Sequence, residues 1–578
     1  MELSSSLSRK EKYGAVATAL ILIALIYNRL FYGVGTGEEP WSIVNSLITH
    51  WGGRWFQAER SIGQTASVLF SPLTSFYSHF FYDSGLILFV RHLHFALSAV
   101  VGYQLFLLLK HYCRWTVAAV FSAVAIVFIP NGIQSLTPVT MGSLLFGLAA
   151  ILSARAYLKA SILLSVLAGV SWVACVFSQP ILLPALLSFW WLAYFLTFTS
   201  LKMRARFFIP LSFMILLASL PIIYFILSAN YSSLADLIEY NWLLNNPGGL
   251  WRIYATPSLI SPYVFNPLMI LASVATWLIL VYKKSEYANH VLILALFIFF
   301  GFGGRGEVTP TQILFGLLPV VSTVALWLSQ NESERKEERP VLAFVIIPGI
   351  VGALSFFVFA KNPVNLLAVT GIFSSILSLA LLTKKQPTYG LILATLIAAS
   401  SVFHAYEQFP EEESDYSKLS RRIVWGPYYG IFTHDEKHRF IDQLQFDIRG
   451  LKIFGKKLVA KDAFPLAYLI DWTTPTGPTF YFGASSNYPQ SVRELYVSYF
   501  KFRDHQPDVV LDVFYLPTTA NRRWVYEDPN DPVGLFDLFA KSKNYKTVIQ
   551  RRYYRILMRD KLLKSETGPD LPLDKGNN

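Results

Sequence analysis

Apolar residues fall along this chain in long, nearly unbroken runs divided by short polar turns, a pattern unlike the alternating or three-four spacing of a soluble domain. A bilayer core of about 30 Å takes about 20 helical residues to cross. Runs near that length lie at residues 13–32, 84–109, 115–130, 139–157, 161–178, 180–198, 207–228, 264–282, 288–303, 311–329, 340–360, 363–383 and 387–404. They predict a polytopic α-helical membrane protein with about thirteen transmembrane helices over residues 1–404. Two stretches between runs, 34–83 and 229–263, are too long to be turns and are expected as outer loops.

Within the first of these, Trp41, Ile43, Val44, Leu47, Ile48 and Trp51 recur at helical spacing beside polar residues. That pattern predicts a helix lying in the membrane interface. Beyond about Phe403 the character changes. An acidic stretch, Glu411, Glu412, Glu413 and Asp415, leads into sequence of ordinary soluble composition. Residues 434–451 read as an amphipathic helix, 457–461 and 508–514 as strands, and 545–558 as a terminal strand pair. A small α/β domain over 405–563 is expected, followed by a polar, disordered tail at 564–578.

Composition agrees with the runs: 53% hydrophobic residues, 15% charged and a mean hydropathy of +0.42 exclude a soluble chain of this length. The net charge of +12 would fit a nucleic-acid binder, but the basic residues sit in the turns and form no amphipathic basic face. They also recur in alternate turns. Arg9, Lys10 and Lys12, then Lys110 and Arg114, Arg155 and Lys159, Lys202, Arg204 and Arg206, Lys283 and Lys284, Arg335, Lys336 and Arg339, and Lys384 and Lys385 all fall on one face. The inside-positive bias then places the N-terminus in the cytoplasm and the C-terminal domain outside the cell's inner (plasma) membrane. Residues 1–13 carry no cleavage signal ahead of the first run, which reads as a retained anchor. The two cysteines, Cys113 and Cys175, make no disulfide framework or zinc site. No cofactor site is legible, no nucleotide fingerprint occurs in the C-terminal domain, and a divalent-metal requirement stays open.

Three features carry candidate chemistry. Gly35-Thr36-Gly37-Glu38-Glu39-Pro40-Trp41 follows the first run and sets two carboxylates at the outer membrane surface, where one can act as general base on an acceptor hydroxyl. The plainer reading is a pair of acids in a first helical turn, where the dipole favours them. Arg91 lies about two turns into the second run with His92 and His94 beside it. An intramembrane cation is costly and therefore a functional candidate, although Arg near a helix end also snorkels. Arg305, in Gly301-Phe302-Gly303-Gly304-Arg305-Gly306-Glu307, and Arg252, after Pro247-Gly248-Gly249-Leu250-Trp251, sit in outer loops, where glycines admit a ligand and guanidinium grips phosphate. Pairing of Arg305 with Glu307 or with lipid headgroups is the alternative.

The acidic pair, Ser71-Pro72-Leu73 later in the same loop, Arg91-His92-Leu93 early in the second run and Leu317-Leu318-Pro319 together resemble the GT-C glycosyltransferases, in the branch of protein mannosyltransferases and lipid A aminoarabinose transferases. The likeness covers roughly residues 13–330 in arrangement. Gly426-Pro427-Tyr428-Tyr429-Gly430-Ile431-Phe432-Thr433 is also similar to the soluble region of bacterial members. The family has Asp-Glu where this chain has Glu38-Glu39. The resemblance implies a sugar transferred with inversion from a polyprenyl-phosphate donor to a hydroxyl of a lipid, glycan or protein acceptor. Glu38 would be the base with Glu39 supporting it, and Arg305, with Arg91 or Arg252, would stabilise charge on the leaving phosphate. A transporter would need paired broken helices in two halves, and no internal repeat is visible. An O-antigen polymerase or ligase would centre on Arg and His and not on an acidic pair.

Overall fold

In the computed structural model the described residues are 9–35, 38–51, 64–129, 133–228, 322, 324–326, 328, 338–359, 363–384, 386–407, 416–453, 456–460, 466–471, 474–475, 506–513 and 544–566. The expected runs at 264–282 and 288–303, most of 311–329 and the loop 229–263 lie outside them. In chain order the helices are α1 (Arg9–Arg29), α2 (Glu38–Leu47), α3 (Gln64–Phe81), α4 (Leu86–Leu109), α5 (Trp115–Val127), α6 (Pro138–Lys159), α7 (Ile162–Ser178), α8 (Leu183–Thr197) and α9 (Ile209–Ser228). They continue with α10 (Ile347–Phe359), α11 (Pro363–Leu382), α12 (Pro387–Glu407), α13 (Asp435–Gly450), α14 (Leu466–Asp471) and α15 (Asp560–Glu566).

Contacts divide the described residues into two units. One holds 9–30, 90–228 and 322–407; the other holds 31–89 and 416–566. The loop of residues 31–89 thus groups with the C-terminal region, and α4 begins in one unit and continues in the other.

The first unit is all helical. Five stretches among the described residues are long and apolar enough to cross a membrane: Leu86–Leu109, Pro138–Lys159, Pro180–Thr197, Leu201–Ile223 and Glu338–Ser355. Five more apolar helical stretches are shorter, at Tyr13–Arg29, Trp115–Val127, Ile162–Ser178, Val369–Leu382 and Pro387–Phe403. All ten coincide with expected runs. The 13 residues of α5 make a helix of about 20 Å, well short of a bilayer core. Its apolar run extends to residue 130, but the backbone turns extended at Phe128.

The helix α6 lies at the centre of this unit. It starts at Pro138, capped by Thr137 in a reciprocal pair with Thr140, and stops at Ala160 in a left-handed conformation. Its face toward α11 is kept small: a Cβ at Gly147 would meet the Phe373 ring at 2.3 Å. Around it Trp172 stacks on Phe189 at 4.7 Å, Phe146 meets Trp172 edge-on, and Phe189 and Phe207 both abut Phe344. By contrast α9, packed on α7 through Leu211, turns Ile209, Phe213, Leu216 and Leu220 outward, the exposure expected of a lipid-facing side.

In the second unit a five-stranded sheet has the order β4-β3-β5-β7-β6, from β3 (Lys457–Ala460), β4 (Thr474–Pro475), β5 (Val509–Val513), β6 (Tyr545–Gln550) and β7 (Tyr554–Arg559). β3 runs parallel to β4 and β5, and β7 antiparallel to β5 and β6. Every residue of β5 is buried, which fits a central strand. A two-stranded hairpin, β1 (Arg421–Arg422) with β2 (Phe432–Thr433), precedes α13. The strands β3, β5, β6 and β7 and the helix at 434–451 fall where the sequence puts them, while β1, β2 and β4 are additional. The helix α15, with Asp560 in its first turn, carries ordered structure through residue 566, three residues into the stretch read as tail.

The sheet and α13 are joined by Asp447. This buried carboxylate accepts Nε and Nη2 of Arg551 at 2.8 and 2.9 Å and the hydroxyl of Tyr554 at 2.6 Å. The hydrogen bond to Asp447 raises the pKa of Arg551, and burial raises that of the Tyr554 phenol. Asp447→Ala is expected to destabilise this region by about 3 kcal/mol, the lower end for breaking a buried pair, since Arg551 is partly solvated. Thermal unfolding of the full chain measures it, and Tyr554→Phe should cost less than half as much.

Candidate functional site

The acidic pair opens α2, where Glu38 is exposed and Glu39 is only 2% exposed. The structure corrects the expectation of an interfacial α2. Residues 39–47 are all buried, with the helix held against α3 and α14, so its apolar residues meet protein rather than lipid headgroups.

The outward apolar surface belongs instead to α3. Its small polar residues Ser67, Ser71, Thr74 and Ser78 point inward, and the Thr74 hydroxyl lies 2.8 Å from that of Ser46 on α2. Leu73, Phe76, Phe80 and Phe81 point outward and are about half to two-thirds exposed. This is the inverse of an amphipathic helix on a soluble domain, and so large an outward apolar face marks a membrane or partner surface.

The chain just ahead of Glu38 is pinned on its backbone. Phe432 N donates to Phe31 O at 2.7 Å and Gly33 N donates to Phe432 O at 2.9 Å, with Tyr32 stacked on the Phe432 ring. Lys437 Nζ donates to Val34 O at 2.8 Å, and the Tyr428 hydroxyl donates to Gly35 O. At the far end of the loop, Gly85 N and Ile87 N donate to Gly426 O and Pro427 O, and Arg449 pairs with Asp83 at 2.5 Å. Burial raises the Asp83 pKa even against the Arg449 charge. Between these ends, burial and the nearby His79 lower the pKa of His50.

The first unit contains Arg91, 2% exposed, whose Nη1 donates to Leu30 O at 2.8 Å. Leu30 follows the last turn of α1, so the guanidinium satisfies a carbonyl that the helix leaves unmatched. His94, one turn on, is also buried, and neither ring nitrogen has a hydrogen-bond partner among the described residues. Arg29 is buried at the end of α1, giving Nε to Ala405 O at 2.5 Å and Nη1 to Gln134 Oε1 at 3.3 Å. Gln134 in turn donates to Ile26 O. Arg252 and Arg305 lie outside the described residues. Among the described residues no group of three or more His, Cys, Asp or Glu side chains could hold a metal ion.

Sequence reasoning missed Arg29 and Lys437. The signal for Arg29 is a cation at the C-terminal end of the first run, away from the turns where the other basic residues collect. For Lys437 it is a cation in the first turn of a helix, where acids are favoured.

No family model matches the chain, and no curated protein matches it. Among solved structures, an archaeal oligosaccharyltransferase, AglB from Archaeoglobus fulgidus, solved with an inhibitory peptide and a dolichol-phosphate, overlaps at a TM-score of 0.43 and 12% identity. The overlap covers 88% of this chain and 70% of that one. It is too loose to assign a family or an activity.

Two outcomes are expected. A spin label at Phe76, in protein reconstituted in bilayers, should be relaxed by oxygen and shielded from a water-soluble nickel reagent; the opposite ranking would remove α3 from lipid. The lowered pKa of His50 means that stability present above pH 6.5 is lost as pH falls through the folded value. Hydrogen exchange over 38–51, corrected for intrinsic rate, should therefore rise between pH 7 and pH 5, and should rise less in His50→Asn.

Proposed function

We propose that this chain is a GT-C-like membrane glycosyltransferase, moving a sugar from a polyprenyl-phosphate donor to an acceptor hydroxyl on the extracytoplasmic face. The observation that carries the reading is the pairing of two helices in one loop. The carboxylates open α2, and its neighbour α3 turns an aromatic face outward. A donor whose prenyl tail is anchored in lipid presents its phosphate and sugar at headgroup depth, and that pairing supports a reaction there.

In this reading Glu38, exposed at the helix start, reaches the acceptor hydroxyl and takes its proton as the oxygen attacks the anomeric carbon. The bond to the phosphate oxygen breaks, configuration inverts and the lipid phosphate leaves. Glu39, buried one residue on, fixes the turn that aims Glu38. Arg305 and Arg252 are proposed to hold the leaving phosphate. Arg91 is a weaker candidate for that role, because its guanidinium already serves the end of α1. Proposed with this are about thirteen spans, a cytoplasmic N-terminus and a C-terminal domain outside the cell, supported by the alternation of basic residues between turns.

Purified protein in nanodiscs supplied with radiolabelled polyprenyl-phosphate sugars tests the reading. Glu38→Gln should lower turnover by about 100-fold or more, the usual weight of a general base, with donor binding retained. Glu39→Gln should lower it less. Unchanged turnover in both variants would remove the acidic pair from the reaction.

A further inference from the structure

Most of the contacts that pin the first loop on its backbone come from one short stretch of the C-terminal region, 426–438, more than 300 residues away in sequence, with Arg449 adding the pair to Asp83. Its form is set locally. Gly426 and Gly430 both have positive φ, at 74° and 90°, and they let the hairpin of β1 and β2 fold back so that Ile423 N donates to Ile431 O and Gly430 N donates to Ile423 O. A Cβ at Gly426 would collide with the buried amide of Gln445, so the turn is built for glycine twice over. Beyond the hairpin, His434 caps α13.

Lys437 is the anomaly in that stretch. It follows Asp435 and Glu436 in a first turn where the helix dipole repels a cation, and it is 1% exposed. A residue that breaks two local rules at once is held there by something other than its own helix. Its ammonium reaches the carbonyl of Val34, four residues ahead of Glu38, while the Tyr428 hydroxyl takes the next carbonyl, Gly35.

We propose that residues 426–438 form a clasp on the first loop and that Lys437 is a positioning residue for the acidic pair, acting through the Val34 carbonyl. This rests on the proposed role of Glu38 and adds to it: the C-terminal region takes part in positioning the acidic pair. The clasp holds both ends of the loop, with Phe432, Lys437 and Tyr428 on residues 31–35 and Gly426 and Pro427 on residues 85–87. Releasing Val34 frees the turn that aims Glu38 without touching the carboxylate.

The test uses full-length protein in nanodiscs, comparing Lys437→Met, Lys437→Arg and Tyr428→Phe by hydrogen exchange over 31–47 and by initial rates against donor concentration. Lys437→Met should raise exchange in that segment and lower kcat by about tenfold or more with donor KM within about threefold, the mark of misplacement rather than lost binding. Lys437→Arg, which keeps a donor, should recover part of both. Tyr428→Phe, a single-hydroxyl change, should act in the same direction, and it decides the matter should Lys437→Met fail to fold. Unchanged exchange over 31–47 in the folded variants overturns the clasp whatever the rates do. If exchange rises in Lys437→Met while Glu38→Gln turns over normally, the clasp stands and the catalytic reading of Glu38 falls.

Discussion

A loop that leaves one membrane helix and returns by another exposes unmatched carbonyls at the first and unmatched N–H groups at the second, and in a lipid setting these must find partners within the protein. The rest of this structure depends on how that is solved. Arg91 serves the carbonyl end of α1 at Leu30, and Gly426 and Pro427 serve the N–H end of α4. An unsatisfied buried carbonyl costs about 1–3 kcal/mol, comparable to several ordinary surface contacts together. Two such ends are enough to tie the loop to whatever serves them.

The contacts of residues 31–35 and 85–87 with residues 426–438 tie residues 31–89 to the C-terminal region, and within that unit α2 is buried against α3 and α14. Held against α3 and α14, α2 buries residues 39–47, and its apolar residues need no lipid. The outward face passes to α3, whose serines and threonine turn in to meet α2 while its aromatic residues turn out. One helix of the loop is core and the other is surface.

Much of this was legible in the sequence, and for a physical reason. Apolar runs and strand signals are local, so ten expected spans appear as apolar helical stretches, and α13, β3, β5 and the β6–β7 pair fall where periodicity puts them. What was not legible is long-range. The pattern Trp41, Ile43, Val44, Leu47 is amphipathic whether the partner is lipid or α14, and periodicity cannot tell the two apart. The inverted face of α3 was hidden because its inward residues are hydroxyls that a linear reading takes for solvent-facing. Arg91 shows the limit from the other direction. Its cost in a membrane marks it as special, but burial is relieved equally well by a helix end or a phosphate, and its partner, the Leu30 carbonyl, is 61 positions away. Within the acidic pair, only coordinates separate an exposed Glu38 from a buried Glu39.

The site assembled this way is a carboxylate at the start of a buried helix, held by backbone contacts from a distant segment and flanked by a helix suited to lipid. A density map of the full chain in nanodiscs, with a non-transferable polyprenyl-phosphonate sugar bound, measures whether that site meets its donor. The anomeric carbon is expected within about 3–6 Å of the Glu38 carboxylate, directly or across one acceptor oxygen. A sugar seated elsewhere, with Glu38 facing bulk water, would contradict it.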